Sequence, residues 1–471
     1  MKLIPGVSEN PVVTRILAEP DPAEVFSALY GNDNYAVLCQ SMDSLGNRGR
    51  YSFAAARPLK ILESVPEGTR VRTGTSEEII TEHVLTLARE LVSQGPCIDA
   101  VQPFSGGVLG YIGYETAHIF EPVKPAAQSA VSYPVTQFIV PSEIVIMDHN
   151  AGECSIIVYG ADAQKRSQEI DGIVRLCTGN RRLCLTSDFS DAQLPRISSN
   201  ITREEFCKKA ARAKEYIREG DVFQVVLSQR FSIKSTAHPF VLYQCLALTN
   251  PAPYLYYMKF GEHYILGSSP EMLVESRGGR VITRPLAGTR PRGRSEQEDR
   301  RLETGLMLDE KEKAEHVMLV DLARNDLGRV CLPGSVKVDS LLKVEKFSRV
   351  MHLVSHVSGT LKPGLDSFDV FRSCFPAGTV SGAPKIRAMQ IISELEPAQR
   401  GVYAGAMGYF GFDGSTETCI GIRLMQVRNG MCSVQAGAGI VADSDPQREY
   451  EETMNKARAV LQAAALAGGE S

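Results

Sequence analysis

The sequence predicts an α+β fold built mainly on antiparallel sheet. Three observations carry that prediction. Short apolar runs bounded by turn signals recur over residues 35–159 and again over 222–275. Long helical patterns are few and do not alternate with strands as a regular βαβ winding requires. The chain closes on residues 433–456, which read as strand, small-residue loop and helix.

The totals set bounds on this picture. The 471 residues are about three domains' worth of chain. Hydrophobic residues make up 43% and charged residues 23%, an ordinary globular composition with ample material for a large core. A net charge of −4 gives no electrostatic reason to expect nucleic acid or an anionic membrane. The eleven cysteines are scattered, odd in number and free of any CxxC pair. That fits reduced cytosolic thiols better than a disulfide framework or a zinc site. No long apolar run follows Met1-Lys2-Leu3-Ile4-Pro5, so neither signal peptide nor membrane span is expected, and the cytoplasm is the default location.

In the first part, residues 35–39 and 50–56 read as strands. Ile80, Val84, Leu87 and Leu91 recur at helical spacing and predict a helix over about 77–91. Residues 137–140 and 144–148 read as two strands, the second paired with 155–159 across a turn at 149–152. Residues 161–180 suit a helix.

Residues 195–200 read as a linker, dividing the chain into regions 1–195 and 196–471 that are expected to intertwine. Thr202-Arg203-Glu204-Glu205 is a capping box, and its helix runs to Gly220. A strand at 222–232, a helix at 238–248 and a three-strand meander at 254–260, 264–268 and 272–275 follow. The basic loop 284–294 runs straight into Ser295-Glu296-Gln297-Glu298, a second capping box, so local ion pairs explain it better than a phosphate or RNA site. The helix opened there extends to about Asp321 and carries Glu312 and Glu315 on one face.

Residues 350–357 alternate like a half-buried strand, with His352, Val354 and His356 on one side. A strand histidine is more often structural than catalytic. Residues 375–385 are rich in small and hydroxyl residues and lead into a helix near Pro384, but they do not match a P-loop. Residues 405–412 and 419–424 read as a hairpin around Asp413-Gly414. In the closing helix, Ser444 or Asp445 caps, Pro446 suits the first turn, and Glu449, Glu452 and Lys456 share a face. Gly437-Ala438-Gly439 reads as a turn whose N–H groups could approach a ligand. By itself this stretch also suits a solvated surface helix.

Taken together and in order, Leu286-Ala287-Gly288-Thr289-Arg290-Pro291-Arg292-Gly293 and residues 315–326, 375–385 and 435–456 resemble the chorismate-utilising enzymes. Within that family they are most similar to the large, synthase subunits of anthranilate synthase. The similarity spans essentially the whole chain and is strongest over about 200–465. It implies two large, mainly antiparallel sheets packed as a sandwich with helices outside, the N-terminal region carrying a regulatory site. It implies Mg²⁺ held by Glu315 and Glu452, with Glu312 and Glu449 supporting them through the metal's waters. Such an ion commonly takes only one or two protein carboxylates.

The resemblance gives the substrate, chorismate, to Ala287, Gly288, Thr289, Tyr403, Arg423, Gly437, Ala438, Gly439 and Lys456. An Arg fork suits its carboxylates. Glu271 matches the family's general acid, which needs a raised pKa to act near neutrality. His352 and Thr379 match residues of the lyase half, which expels pyruvate. Relatives that make isochorismate have lysine where Gln224 stands, and aminodeoxychorismate synthases have lysine where Ala287 stands. Glutamine cannot act as that base nor alanine as that nucleophile. Ammonia addition at ring carbon 2, followed by elimination to anthranilate, is the reaction left.

The ammonia source is expected from a separate glutamine amidotransferase subunit, since the chain shows no nucleophile elbow, and a hetero-oligomer follows. The resemblance also places a tryptophan feedback site at Gln40, Ser41, Pro253, Tyr254 and Leu255. Relatives carry Leu-Leu-Glu-Ser where this chain has Leu38-Cys39-Gln40-Ser41, and Gln40 lacks the charge to meet a tryptophan ammonium. Weak or absent tryptophan binding is therefore expected. Two rival readings stand beside the main one: an aminodeoxyisochorismate synthase without the elimination, and a non-catalytic relative that binds an aromatic acid.

Overall fold

The computed structural model describes residues 11–42, 48–98, 102–124, 133–177, 197–347 and 350–467. The chain start, Pro195 and Arg196 of the expected linker, and the end of the helix expected at 161–180 lie outside them.

Two long strands organise the architecture. Arg48–Val65 and Thr136–Asp148 run antiparallel, with Tyr51 opposite Asp148 and Glu63 opposite Gln137. Each is long enough for its two ends to join different sheets. On the Tyr51 side the first sheet runs through Tyr35–Met42, Tyr254–Phe260, His263–Ser269, Leu424–Arg428, Met431–Ile440 and Gln224–Lys234. Glu153–Val158 and Val12–Leu17 extend it the other way. On the Glu63 side the second sheet runs through Gly107–Ile112, Ala406–Gly411, Thr416–Ile420, Met272–Arg277, Arg280–Thr283 and Val350–Thr360. Leu286–Pro291 and Lys337–Lys346 flank that last strand. Every strand pairing among the described residues is antiparallel, as the apolar runs predict.

The first sheet is buried on both faces. Along Tyr254–Phe260, Tyr256 and Met258 join the larger core cluster, while Leu255 and Tyr257 join a second one. Phe53 and Ala54 divide in the same way. Alternate side chains of a strand point to opposite faces, so the sheet separates two cores. The larger contains residues of both sheets, such as Phe53, Phe138, Leu273 and Phe410. The second is completed by helices, with Val25, Tyr243, Leu246, Val460 and Leu461 packed on Phe231 and Tyr257.

Several local expectations change. Residues 76–80 form a strand paired with Gly68–Thr73, and the helix, Val84–Gln94, starts only after the His83 cap. The cross-strand ladder there outweighs the helical spacing of Ile80. The two strands expected at 137–148 are one, with Pro141 opposite Pro58 at a register shift, so neither ladder misses the absent N–H groups. The helix expected from 295 to 321 is two, Glu296–Leu308 and Glu310–Val330, because Asp309 leaves the helical conformation and caps the second. The capping box expected at Ser295 is half formed: Ser295 accepts from the Glu298 N–H, but Glu298 accepts from the Arg294 N–H. Strand 350–357 is buried on both faces rather than one: Met351, Val354 and Ser355 are all within 1% of full burial. Part of the expected linker, Ser198–Ser199, pairs with Phe231 and Ser232.

The expected meander also breaks. His263–Ser269 stays in the first sheet beside Leu424–Arg428, whereas Met272–Arg277 moves to the second beside Thr416–Ile420. Both chains therefore change sheet at the same level, one at Pro270-Glu271 and the other at Gly421-Ile422-Arg423. This seam positions the candidate site. No described helix is long and apolar enough to cross a membrane.

Candidate active site

Glu271 sits on the seam with its carboxyl enclosed. The Leu286 N–H donates to it, and Thr379 Oγ1 lies beside it without a well-formed hydrogen bond to any protein group. Burial dominates both contacts and pushes the carboxyl up to about 8, so it is protonated at neutral pH. On the second seam crossing, Arg423 adopts φ 52°, which turns its side chain out of the strand direction. Its guanidinium donates to the Lys456 carbonyl at 3.3 Å and makes no ion pair among the described residues, although the Glu452 charge acts on it. Loss of water lowers its pKa, although part of the residue still meets solvent. A guanidinium without an ion-pair partner is suited to bind an anion.

Gly437-Ala438-Gly439 is strand rather than turn: it pairs with Ser228, Leu227 and Val226 of Gln224–Lys234. Beyond Val434 its other edge has no strand partner among the described residues, so outward N–H groups remain available. The glycines have a packing reason. A Cβ at Gly437 would stand 2.6 Å from the Tyr403 hydroxyl, and one at Gly439 2.6 Å from Gln224 Nε2. Lys456 reaches back to this strand, with Nζ 3.0 Å from the Gly437 carbonyl and 2.6 Å from Glu452 Oε1. Burial raises the Tyr403 hydroxyl to about 12, so it stays a donor.

The two acidic helix faces approach each other closely enough for Glu452 to act on both Glu315 and Glu449. Gln224 Nε2 donates to Glu315 Oε1 at 2.8 Å. Burial raises the Glu315 carboxyl, and the charges of Glu312 and Glu452 add to that rise. Burial and then Glu452 raise Glu449. Glu312 is bound to Arg290 at 3.0 Å and Glu452 to Lys456. Among the described residues no three metal-ligating side chains stand preassembled as a cluster. Mutually repelling oxygen donors from two helices nonetheless suit a hard cation, and Mg²⁺ needs only one or two of them.

His352 Nδ1 lies 3.1 Å from the Gly288 carbonyl and 3.0 Å from Thr289 Oγ1. A carbonyl only accepts, so Nδ1 carries the proton and Nε2 keeps a lone pair. Burial, then the charges of Arg423 and Lys456, lower the ring to about 4. The neutral imidazole thus belongs to the same site as those two cations. Gly288 is the bulge between Ala287 and Thr289, at φ 77°, which aims its carbonyl at the ring. The basic loop is pinned as expected: Arg292 binds Asp299, Arg290 binds Asp309 and Glu312, and Arg284 binds Glu345.

Sequence reasoning missed the wall behind Tyr403. Arg400 is buried and donates to Glu396 Oε1 and Oε2, to the Val380 carbonyl and to the Val226 carbonyl, at 2.6 to 2.8 Å. Its guanidinium stands 5.6 Å from the Tyr403 ring. Glu396 also accepts from the Ser228 N–H and hydroxyl. Glu396 lies four residues before Arg400, but the groups that complete the pair come from two distant segments, around residues 226–228 and Val380.

A second pocket, of about 290 Å³, lies away from these groups and is lined by all five residues expected for the regulatory site. Gln40 Oε1 accepts from the Tyr243 hydroxyl at 2.5 Å. Arg50 and Glu417 also line it. Burial first, and Glu275 second, lift the Glu417 carboxyl to about 7. Position 417 went unread in the sequence, where it looks like one polar residue of a hairpin.

Residues 50–462 match the chorismate binding enzyme family, and the chain belongs to that family. Among its relatives, anthranilate synthase component 1 of Streptomyces coelicolor is 45% identical, covering 94% of this chain and 86% of that one. The Aquifex aeolicus component 1 is 40% identical over 98% and 96%. The crystal structure of anthranilate synthase component I from Streptococcus pneumoniae superposes with a TM-score of 0.79 at 37% identity, covering 88% and 92%. The menaquinone-specific isochorismate synthase of Escherichia coli shares the fold, at a TM-score of 0.71 and 21% identity.

Proposed function

We propose that the chain is the synthase subunit that converts chorismate and ammonia to anthranilate and pyruvate. The observation that carries this reading is the pairing at the seam of a neutral buried carboxyl, Glu271, with a guanidinium that makes no ion pair among the described residues, Arg423. Arg423, Lys456, the Tyr403 hydroxyl and the open edge at 437–439 bind the substrate's carboxylates. Ammonia adds at ring carbon 2 beside Gln224, whose carboxamide is no base. Glu271 gives its proton to the 4-hydroxyl, which leaves as water. His352 Nε2 then takes the ring proton, the ether carbon–oxygen bond breaks, the departing enolpyruvate takes a proton at its methylene carbon to become pyruvate, and the ring becomes aromatic. His352 favours the complete reaction over a synthase that stops at the amine.

Glu315 and Glu452 would hold Mg²⁺, with Glu312 and Glu449 behind them. The ion, when bound, supplies positive charge at the substrate's ring carboxylate. Component 1 in the relatives' names supports a second component, and we assign it the role of a glutamine amidotransferase that supplies ammonia to this cytoplasmic enzyme. The pocket at Gln40 and Glu417 is the candidate effector site for tryptophan, with Arg50 suited to the carboxylate. Incubation with chorismate, Mg²⁺ and an ammonium salt tests the main reading. Fluorescent anthranilate should appear with pyruvate. Amine without pyruvate would select the synthase that lacks elimination, and no turnover would select a binding protein.

A further inference from the structure

A cavity of about 40 Å³ opens behind Glu271. Glu271, Thr283, Thr379 and Asp326 give it polar walls, whereas Arg423, Tyr403, His352 and Lys456 do not line it. It meets the candidate active site at Glu271 and Thr379. A water needs roughly 10–15 Å³ of such space and two to four polar partners. By that measure the cavity has room for about three or four waters. Partners are present. Thr379 Oγ1 is buried and unpaired. Asp326 gives Oδ2 to Lys385 Nζ at 2.8 Å, with both side chains 9% exposed. Its Oδ1 has no protein partner among the described residues. Lys385 is fixed from a second side by the Cys374 carbonyl at 3.2 Å. Burial raises the Asp326 carboxyl while Lys385 opposes that rise.

We propose that this cavity reloads Glu271, with waters between Glu271, Thr379 and Asp326 returning the proton that the carboxyl gives up. The proposal rests on Glu271 being the general acid. In each turnover the Glu271 O–H bond breaks and its proton leaves with the expelled hydroxyl as water. The carboxylate takes a proton from a cavity water. That water takes one from the Asp326 carboxyl, and Asp326 takes one from solvent. No electron changes hands. Lys385 is a positioning residue: it holds Oδ2 and leaves Oδ1 to the waters. A buried carboxyl that cycles once per turnover needs a route by which its proton returns.

The test compares initial rates of ammonia-dependent anthranilate formation in H₂O and D₂O from about pH 6 to 9. It uses the whole chain, Asp326→Asn, and Ala377→Val, which narrows the cavity without touching a charge. Thermal melting checks that each variant folds. Both should lose about 10-fold or more in kcat, within the span of acid–base contributions. The KM for chorismate should stay within about 2-fold, and the solvent isotope effect should rise as reloading becomes rate-limiting. Either folded variant with wild-type kcat and isotope effect would overturn the proposal. So would a loss of kcat with the isotope effect and pH profile unmoved, which marks a purely structural role. Glu271→Gln separates the two levels. Full activity there sinks the general-acid reading, whereas its inactivity beside wild-type cavity variants sinks only the relay.

Discussion

Gln224 Nε2 donates to Glu315 Oε1 at 2.8 Å, joining a strand to a helix across 91 residues of sequence. The bond places a neutral carboxamide against a carboxylate proposed to hold metal. A lysine there would form an ion pair and compete for that carboxylate. Gln224→Lys should therefore lower ammonia-dependent turnover and weaken Mg²⁺ binding by calorimetry. Unchanged kinetics would mean that the residue does not face ring carbon 2.

Glu271 should set the alkaline limb of the pH profile. The acid works only when protonated, and burial holds it near 8. Activity is thus present below about 8 and lost as pH rises through it. Glu271→Gln should cut kcat by about 10²–10⁴-fold with little change in KM, and the limb should vanish from any residual rate.

Glu449 supports the proposed metal site without being one of its ligands. Glu449→Gln should weaken Mg²⁺ binding by about 10–100-fold, the usual cost of losing an outer partner. Titration calorimetry reads this directly, apart from turnover.

The Arg400–Glu396 pair carries stability as well as position. Glu396→Ala would leave a fully buried guanidinium without its counter-charge. Breaking such a pair costs about 3–5 kcal/mol, which should show as a lower urea midpoint. The Tyr403 wall should loosen with it, raising the KM for chorismate.

Tryptophan should bind weakly to the wild type, because Gln40 offers an ammonium only a carbonyl oxygen already engaged by Tyr243. Gln40→Glu should tighten binding by about 10-fold, the scale of one charge-assisted hydrogen bond. Sub-micromolar affinity of the wild type would show that Glu417 alone meets the ammonium.

Much of this site was legible in the chain because its chemistry sits in contiguous motifs. The shared face of Glu449, Glu452 and Lys456 follows from helical spacing, and Glu315 shares one with Glu312. The strands themselves follow from apolar runs between turns. What stayed hidden was long-range. Residues 76–80 look helical until the neighbouring strand claims their N–H groups. Gly437-Ala438-Gly439 looks like a turn because its small residues suit one, yet they are small to admit Tyr403 and Gln224. The change of sheet at Pro270-Glu271 has no local signature, although it is what brings Glu271 level with Arg423. Asp326 owes its importance to Lys385, 59 residues on, and Arg400 owes its fixed position to the distant Val226 and Val380 carbonyls as well as to nearby Glu396.

The most direct measurement is the product balance from chorismate, Mg²⁺ and ¹⁵N-labelled ammonium, followed by mass spectrometry and a pyruvate assay. The account predicts ¹⁵N-anthranilate and pyruvate in equal amounts, both lost in Glu271→Gln. A hydroxylated product without nitrogen, or labelled amine without pyruvate, would contradict it.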